Sequence, residues 1–161
     1  GEDGPHGLPP ASRAALDAAE VVAGSARHLA LLPNLRAERL EWPVPFADGI
    51  PMLLAQRGRR MAMLASGDPF WYGAGTSVTR HLAAHEWHAL PAPSTFGLAA
   101  ARLGWALEHV TCLGLHAAPL ARLRPHLCKD ARLLVLLRDG AAVAELARYL
   151  VDADFGASGM S

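Results

Sequence analysis

Short apolar runs alternate along this chain with stretches of helical period. The clearest run is Leu133-Leu134-Val135-Leu136-Leu137, closed by Arg138-Asp139-Gly140. Consecutive aliphatics of that length, bounded by turn residues, suit a strand buried in a parallel sheet. Glu20-Val21-Val22-Ala23-Gly24, Met61–Ala65 and Val110–Leu115 read as further strands, and Arg39–Val44 reads as extended until Pro43 and Pro45 break it. Trp87–Leu90 reads as a strand closed by Pro91-Ala92-Pro93. Between these runs, apolar residues recur at helical spacing. Pro10–Ala19, with Ser12 as a plausible cap, Ala26–Leu32, Ile50–Gln56, Ser77–Ala84, a helix capped by Ser94 through Leu103, Leu120–Leu127 and Ala141–Val151 are the predicted helices. Strand and helix in alternation imply parallel βαβ units, hence an α/β fold with a parallel-rich sheet flanked by helices.

One junction stands out. Met61-Ala62-Met63-Leu64-Ala65 runs directly into Ser66-Gly67-Asp68-Pro69-Phe70-Trp71-Tyr72-Gly73. A buried strand there ends in a stiff turn, because Pro69 fixes φ and Gly67 permits close backbone approach. In open α/β sheets ligands gather at the carboxyl ends of the strands. A carboxylate on a stiff loop beside aromatic surface suits a small ligand with a cationic or polar end and a flat heterocycle.

Composition narrows the function. Lys+Arg and Asp+Glu are both 15 among 161 residues, so the formal net charge is zero and no nucleic-acid footprint is visible. Hydrophobic residues make up 52%, enough for a packed core. A single Lys, Lys129, stands against fourteen Arg, a bias that follows from base composition as readily as from recognition of carboxylates. Cys112 and Cys128 are isolated, with no Cys-x-x-Cys pair, and read as thiols of a reducing cytoplasm. No apolar stretch is long enough to span a membrane, and no signal peptide is visible at the start. His81, His85 and His88 share a helical spacing, but the helix is expected to end near Ala84, so metal binding is rejected. A dinucleotide-binding domain would need a full G-x-G-x-x-G after a strand, and none exists.

Five stretches, in order, resemble the tetrapyrrole methylases, S-adenosylmethionine-dependent enzymes of corrin and sirohaem synthesis. Gly1-Glu2-Asp3-Gly4 is similar to the tail of the family's opening glycine-rich turn. Ala19–Gly24 with Arg27-His28-Leu29 is similar to its second strand and following helix. Leu64–Gly73 is similar to its Gly-Asp-Pro loop. Pro91–Thr95 with Leu98–Gly104 is similar to the loop and helix that close its first domain, and Leu113-Gly114-Leu115-His116 to the start of its second. The chain departs from the family pattern at Gly114, where Ser is usual, and at Ala117-Ala118, where Gly-Arg is usual.

The resemblance implies the tetrapyrrole methylase fold: an N-terminal α/β domain over 1–110 carrying the Gly-Asp-Pro loop, and the beginning of a truncated second α/β domain over 111–161. Both ends read as cut. It implies a C-methyltransferase of cobalamin biosynthesis acting on a meso carbon, C5, of precorrin-6Y or cobalt-precorrin-7. Another tetrapyrrole methylase, or a non-catalytic ligand-binding or assembly fragment, stands as the alternative. S-adenosyl-L-methionine is the implied cofactor, with Gly1, Gly67, Asp68, Pro69, Phe70, Tyr72, Ser94, Thr95 and His116 as its candidate contacts. Arg27, Arg102 and Trp71 are candidates for the carboxylate-rich tetrapyrrole, with Arg80 a further basic residue. Several of these have plain structural alternatives. Asp68 either anchors the cofactor or organises its own loop; Ser94 caps a helix whose N–H groups also suit a carboxylate; His116 either contacts ligand or closes a strand. No metal and no covalent nucleophile is required, because the reduced macrocycle supplies the nucleophilic carbon and the protein supplies mostly position and a dry site; the catalytic residues are unknown at this point. A cytoplasmic homodimer without nucleic-acid or membrane partners completes the expectation.

Overall fold

The computed structural model describes residues 4–161. Its contacts divide the chain into two units, residues 1–94 and 95–161. The helix that follows Ser94 packs on the strands that come after it.

In the first unit, β1 (Val21–Gly24) lies between β2 (Glu38–Glu41) and β3 (Met61–Met63), and all three run parallel. Val21, Val22 and Ala23 are wholly buried, which stabilises the unit by about 1.5–3 kcal/mol per valine. The strand's alternation sends its residues to two cores. Val22 packs with Leu29 and Leu32, backed by Leu16, Ala62 and Leu64; Leu16 belongs to α1 (Pro10–Ala18) and Leu29 to α2 (Ala26–Ala30). Ala23 packs on the other face with Trp42, Leu53 and Val78, the last two from α3 (Gly49–Leu54) and α4 (Gly75–Thr79). Helices on both faces explain why β1 is apolar without alternation.

The second unit pairs β4 (Thr111–Gly114) with β5 (Leu133–Leu136), again parallel. Leu134 packs with Phe96 and Ala100 of α5 (Thr95–Leu103). Leu133 and Val135 pack on the opposite side with Leu146 and Leu150 of α6 (Ala141–Asp152). Both units are parallel sheets flanked by helices, the α/β class expected.

Four expectations fail locally. Trp87–Leu90 forms no strand; it runs exposed into Pro91. The helix expected over Ser77–Ala84 is only α4, whose start is set by Gly75 donating to the Pro69 carbonyl at 2.7 Å. Leu120–His126 is a 3-10 helix containing Pro125, which lacks the N–H a regular helix needs there. Ser12 caps nothing, since α1 begins at Pro10.

Candidate functional site

The carboxyl ends of β1 and β3 are tied by Leu64 N–H donating to Ala23 O at 2.7 Å, while Trp42 N–H, just past β2, donates to Gly24 O at 2.8 Å. From this edge the chain turns into α2 on one side and into the Gly-Asp-Pro loop on the other. Gly24 makes the crossing compact: a Cβ there would stand 3.1 Å from Leu64 Cβ and 3.4 Å from His28 Cβ.

The loop after β3 is held at each step. Gly67 has φ +59° and lies so close to the segment before α5 that a Cβ would meet Pro93 O and Ser94 Cα at 3.1 Å each. Ala92 N–H donates back to Gly67 O at 3.2 Å. Asp68 Oδ1 accepts from Phe70 N–H at 2.8 Å, so this carboxylate organises its own turn whatever else it meets. The Pro69 carbonyl accepts from Gly75, and a Cβ on Gly73 or Gly75 would come within 2.6 Å of that oxygen. Only glycine fits at either position. Tyr72 adopts φ 55°, a left-handed conformation that costs an aromatic residue about 1 kcal/mol and is retained only where the surroundings impose it.

This rigid frame carries aromatic surface. Phe70, Trp71 and Tyr72 are 43%, 39% and 48% exposed. Phe70 stacks on Trp87 with ring centroids 5.4 Å apart. The backbone before Trp87 is anchored by Glu86, which accepts from Arg57 Nε at 2.9 Å and Nη2 at 3.2 Å and from Ala83 N–H at 2.7 Å. The Ala83 N–H first, and Arg57 second, hold the Glu86 carboxyl below the usual carboxylate range.

On the α2 side, Ser66 is the contact point. Its Oγ lies 3.0 Å from His28 Nε2 and accepts from Arg27 Nη2 at 3.3 Å, and the same Nη2 lies 3.2 Å from His28 Nε2. Burial first, then the Arg27 charge, lower the pKa of His28 below the ordinary histidine value. His28 Nδ1 is buried and makes no hydrogen bond among the described residues.

The structure thus brings Gly67, Asp68, Pro69, Phe70, Trp71, Tyr72 and Arg27 to the carboxyl edge of the first sheet, with Ser94 in the segment packed on Gly67. Arg80 is exposed just after α4. In the second unit, Thr95 opens α5, Arg102 is exposed in its last turn, and His116 is exposed in the turn after β4. Gly1 lies outside the described residues. His28 and Ser66 were not singled out from the sequence as site residues. The signal was present: a basic pair one turn past a buried strand, and a hydroxyl immediately before the glycine of a strand-end loop. His81 follows α4, His85 sits in the 3-10 turn Ala84–Glu86 and His88 lies beyond it. No group of three or more His, Cys, Asp or Glu among the described residues is placed to hold a metal ion. Nor is any helix among them long and apolar enough to cross a membrane.

Comparison with known proteins is consistent along the chain. The profile of the tetrapyrrole (corrin/porphyrin) methylases matches residues 1–158. A precorrin-6Y C(5,15)-methyltransferase (decarboxylating) from Sinorhizobium sp. is 43% identical over 159 residues, covering 98% of this chain and 38% of the relative. A cobalt-precorrin-7 C(5)-methyltransferase from Salmonella typhimurium is 33% identical over 104 residues, 65% of this chain and 52% of the relative. The crystal structure of a cobalamin-biosynthesis precorrin-6Y methylase from Archaeoglobus fulgidus superposes with TM-score 0.60 at 28% identity, covering 80% of this chain and 65% of that one. The chain spans about two fifths of the length of the precorrin-6Y relatives it matches.

Proposed function

The chain belongs to the tetrapyrrole methylases, and from that premise we propose that it is the C5-methylating part of an S-adenosylmethionine-dependent methyltransferase of cobalamin biosynthesis. Its substrate is precorrin-6Y or cobalt-precorrin-7. The relatives named above for C5 methylation support the position of the methyl group. The observation that carries the reading is the Gly67–Gly75 loop: a turn at the carboxyl end of a parallel strand, with backbone closed to Cβ atoms and aromatic rings exposed.

The residues present fit such a cofactor. Gly67 packs its bare Cα against Pro93 and Ser94, which fixes the turn that presents Asp68 and the aromatic rings. When bound, S-adenosylmethionine supplies an electrophilic methyl group on a sulfonium. The chain supplies position. Asp68 holds the turn through Oδ1 and places negative charge near the cofactor's cationic end. Phe70 and Tyr72 give flat apolar walls, and Pro69 fixes the entry to both. Ser94 and Thr95 lie at the start of α5, whose N–H groups suit a carboxylate. Arg27 and Trp71 meet the substrate, the arginine by pairing with its carboxylate arms. An enamine-like meso carbon needs no protein nucleophile, so exclusion of water and alignment are the protein's contribution. We carry over a cytoplasmic homodimer as the working assembly.

Calorimetric titration of the full-length protein with S-adenosylhomocysteine tests this. Binding by the wild type, weakened about tenfold or more by Asp68→Ala, is expected, on the scale of one charge-assisted hydrogen bond. Equal binding by the variant removes Asp68 from the cofactor site. No binding by the wild type overturns the reading.

A further inference from the structure

Ser66 is the residue immediately before the Gly67–Asp68 turn, and two side chains from one turn of α2 grip its hydroxyl. The proton positions in this cluster are dictated by chemistry. A guanidinium only donates. Arg27 Nη2 lies 3.2 Å from His28 Nε2, so Nε2 must be the bare, accepting nitrogen. A neutral imidazole then carries its proton on Nδ1. The Ser66 hydroxyl, 3.0 Å from Nε2, donates its hydrogen there and accepts from Arg27 at 3.3 Å. Each of these three contacts then joins a donor to an acceptor. The remainder is a buried Nδ1–H with no acceptor among the described residues. A fold rarely keeps such a group without a reason, and it is kept at the strand edge from which the Gly-Asp-Pro loop departs.

We propose that His28 is a positioning residue for the methyl-donor loop, its bare Nε2 and the adjacent Arg27 fixing the Ser66 hydroxyl and through it the register of Gly67 and Asp68. This rests on the functional reading above and deepens it. Protonation of His28 undoes the arrangement. It sets an N–H against the N–H of Arg27, leaves Ser66 with two donors and no acceptor, and adds a second positive charge. Among the described residues Arg27 is the charged group acting on His28; Ser66 on the loop after β3 and Gly24 at the end of β1, its neighbours from other elements, carry none. Burial and Arg27 both favour the neutral form, so the loop is set at neutral pH and released on acidification.

The test is S-adenosylhomocysteine affinity of the full-length protein between about pH 7.5 and about pH 5, below the ordinary histidine range. Wild-type affinity is expected to fall several-fold across this interval, on the order of one hydrogen bond. His28→Phe is expected to bind several-fold more weakly at both ends. His28→Gln, whose side-chain oxygen can reach the Nε2 position, is expected to restore most of the neutral affinity with a flat pH profile. Ser66→Ala is expected to flatten the profile as well, and its effect is not additive with that of His28→Phe. Long-range proton–nitrogen NMR is expected to show the His28 proton on Nδ1. A wild-type profile shared by His28→Gln, or a proton on Nε2, overturns the inference while leaving the functional reading intact. No binding by the wild type at any pH overturns both.

Discussion

Two loops of this molecule begin alike and do different work. The chain leaves β3 through Gly67-Asp68 and leaves β5 through Asp139-Gly140, each at the carboxyl end of a parallel strand and each ahead of a helix. After β5 the link is short. Asp139 Oδ1 accepts from Ala142 N–H at 3.0 Å and Oδ2 from Arg138 Nε at 2.9 Å, and α6 starts at once. That is a helix start held by an acid, with the macrodipole in its favour. After β3 the acid serves a turn instead. Asp68 reaches two residues on to Phe70, Gly73 and Gly75 fold the loop onto the Pro69 carbonyl, and three aromatics stand exposed. An aspartate and a glycine at a strand end therefore mark a position and not a function. What separates the two loops is the space around the glycines and the apolar surface left uncovered.

The largest expected effect follows from that space. A Cβ on Gly73 would lie 2.6 Å from the Pro69 carbonyl oxygen and 2.9 Å from its carbon. The backbone must move, so Gly73→Ala is expected to destabilise by about 1–3 kcal/mol. Gly140 has φ −65° and nothing within 4 Å of the corresponding position. Gly140→Ala is therefore expected to be neutral or stabilising by up to about 1 kcal/mol, through the unfolded chain. Urea unfolding of both variants measures the difference, and equal losses would break the distinction between the loops. Next in size is Phe70→Leu. The ring pair with Trp87 is half exposed, so its loss is expected to cost about 0.5–1.5 kcal/mol in stability. Weaker S-adenosylhomocysteine binding is expected alongside. A stability loss with affinity unchanged would make Phe70 packing alone.

Much of this was legible in the residues. Apolar runs bounded by turn residues located β1, β3, β4 and β5 to within a residue or two at each end, because strands buried on both faces need no alternation to be seen. The Gly-Asp-Pro loop was legible for the same reason: its stiff turn sits where a buried strand must end. Trp87–Leu90 was misread because β-forming residues say nothing about whether a neighbouring strand is there to pair with them. The short α4 was misread because its start depends on Gly75 reaching the Pro69 carbonyl, a contact that local periodicity does not encode. The packing of Phe96 on Leu134, of a strand nearly forty residues later, is likewise a contact that no local pattern encodes. The Ser66–His28–Arg27 cluster escaped notice because it joins residues 38 and 39 apart, which only the parallel register of β1 and β3 brings together.

The smallest effect concerns the charge on Asp139. The hydrogen bond from Arg138, then that from Ala142 N–H, hold its carboxyl below the usual aspartate range. A group depressed in the folded state contributes stability above its unfolded pKa and loses it as pH falls through the folded value. Asp139→Asn keeps an oxygen for Ala142 and removes the charge. The variant is expected to melt slightly below the wild type at neutral pH, and the two curves to converge under acid conditions. Both residues are exposed, so the gap is expected to shrink with added salt as well. Asp68→Asn likewise keeps an acceptor for Phe70 N–H, but its main expected readout is S-adenosylhomocysteine affinity and not melting temperature. If Asp68→Asn instead reproduced the Asp139→Asn melting behaviour with ligand affinity unchanged, the two acids would share one structural role, and the loop after β3 would lose its claim to the cofactor.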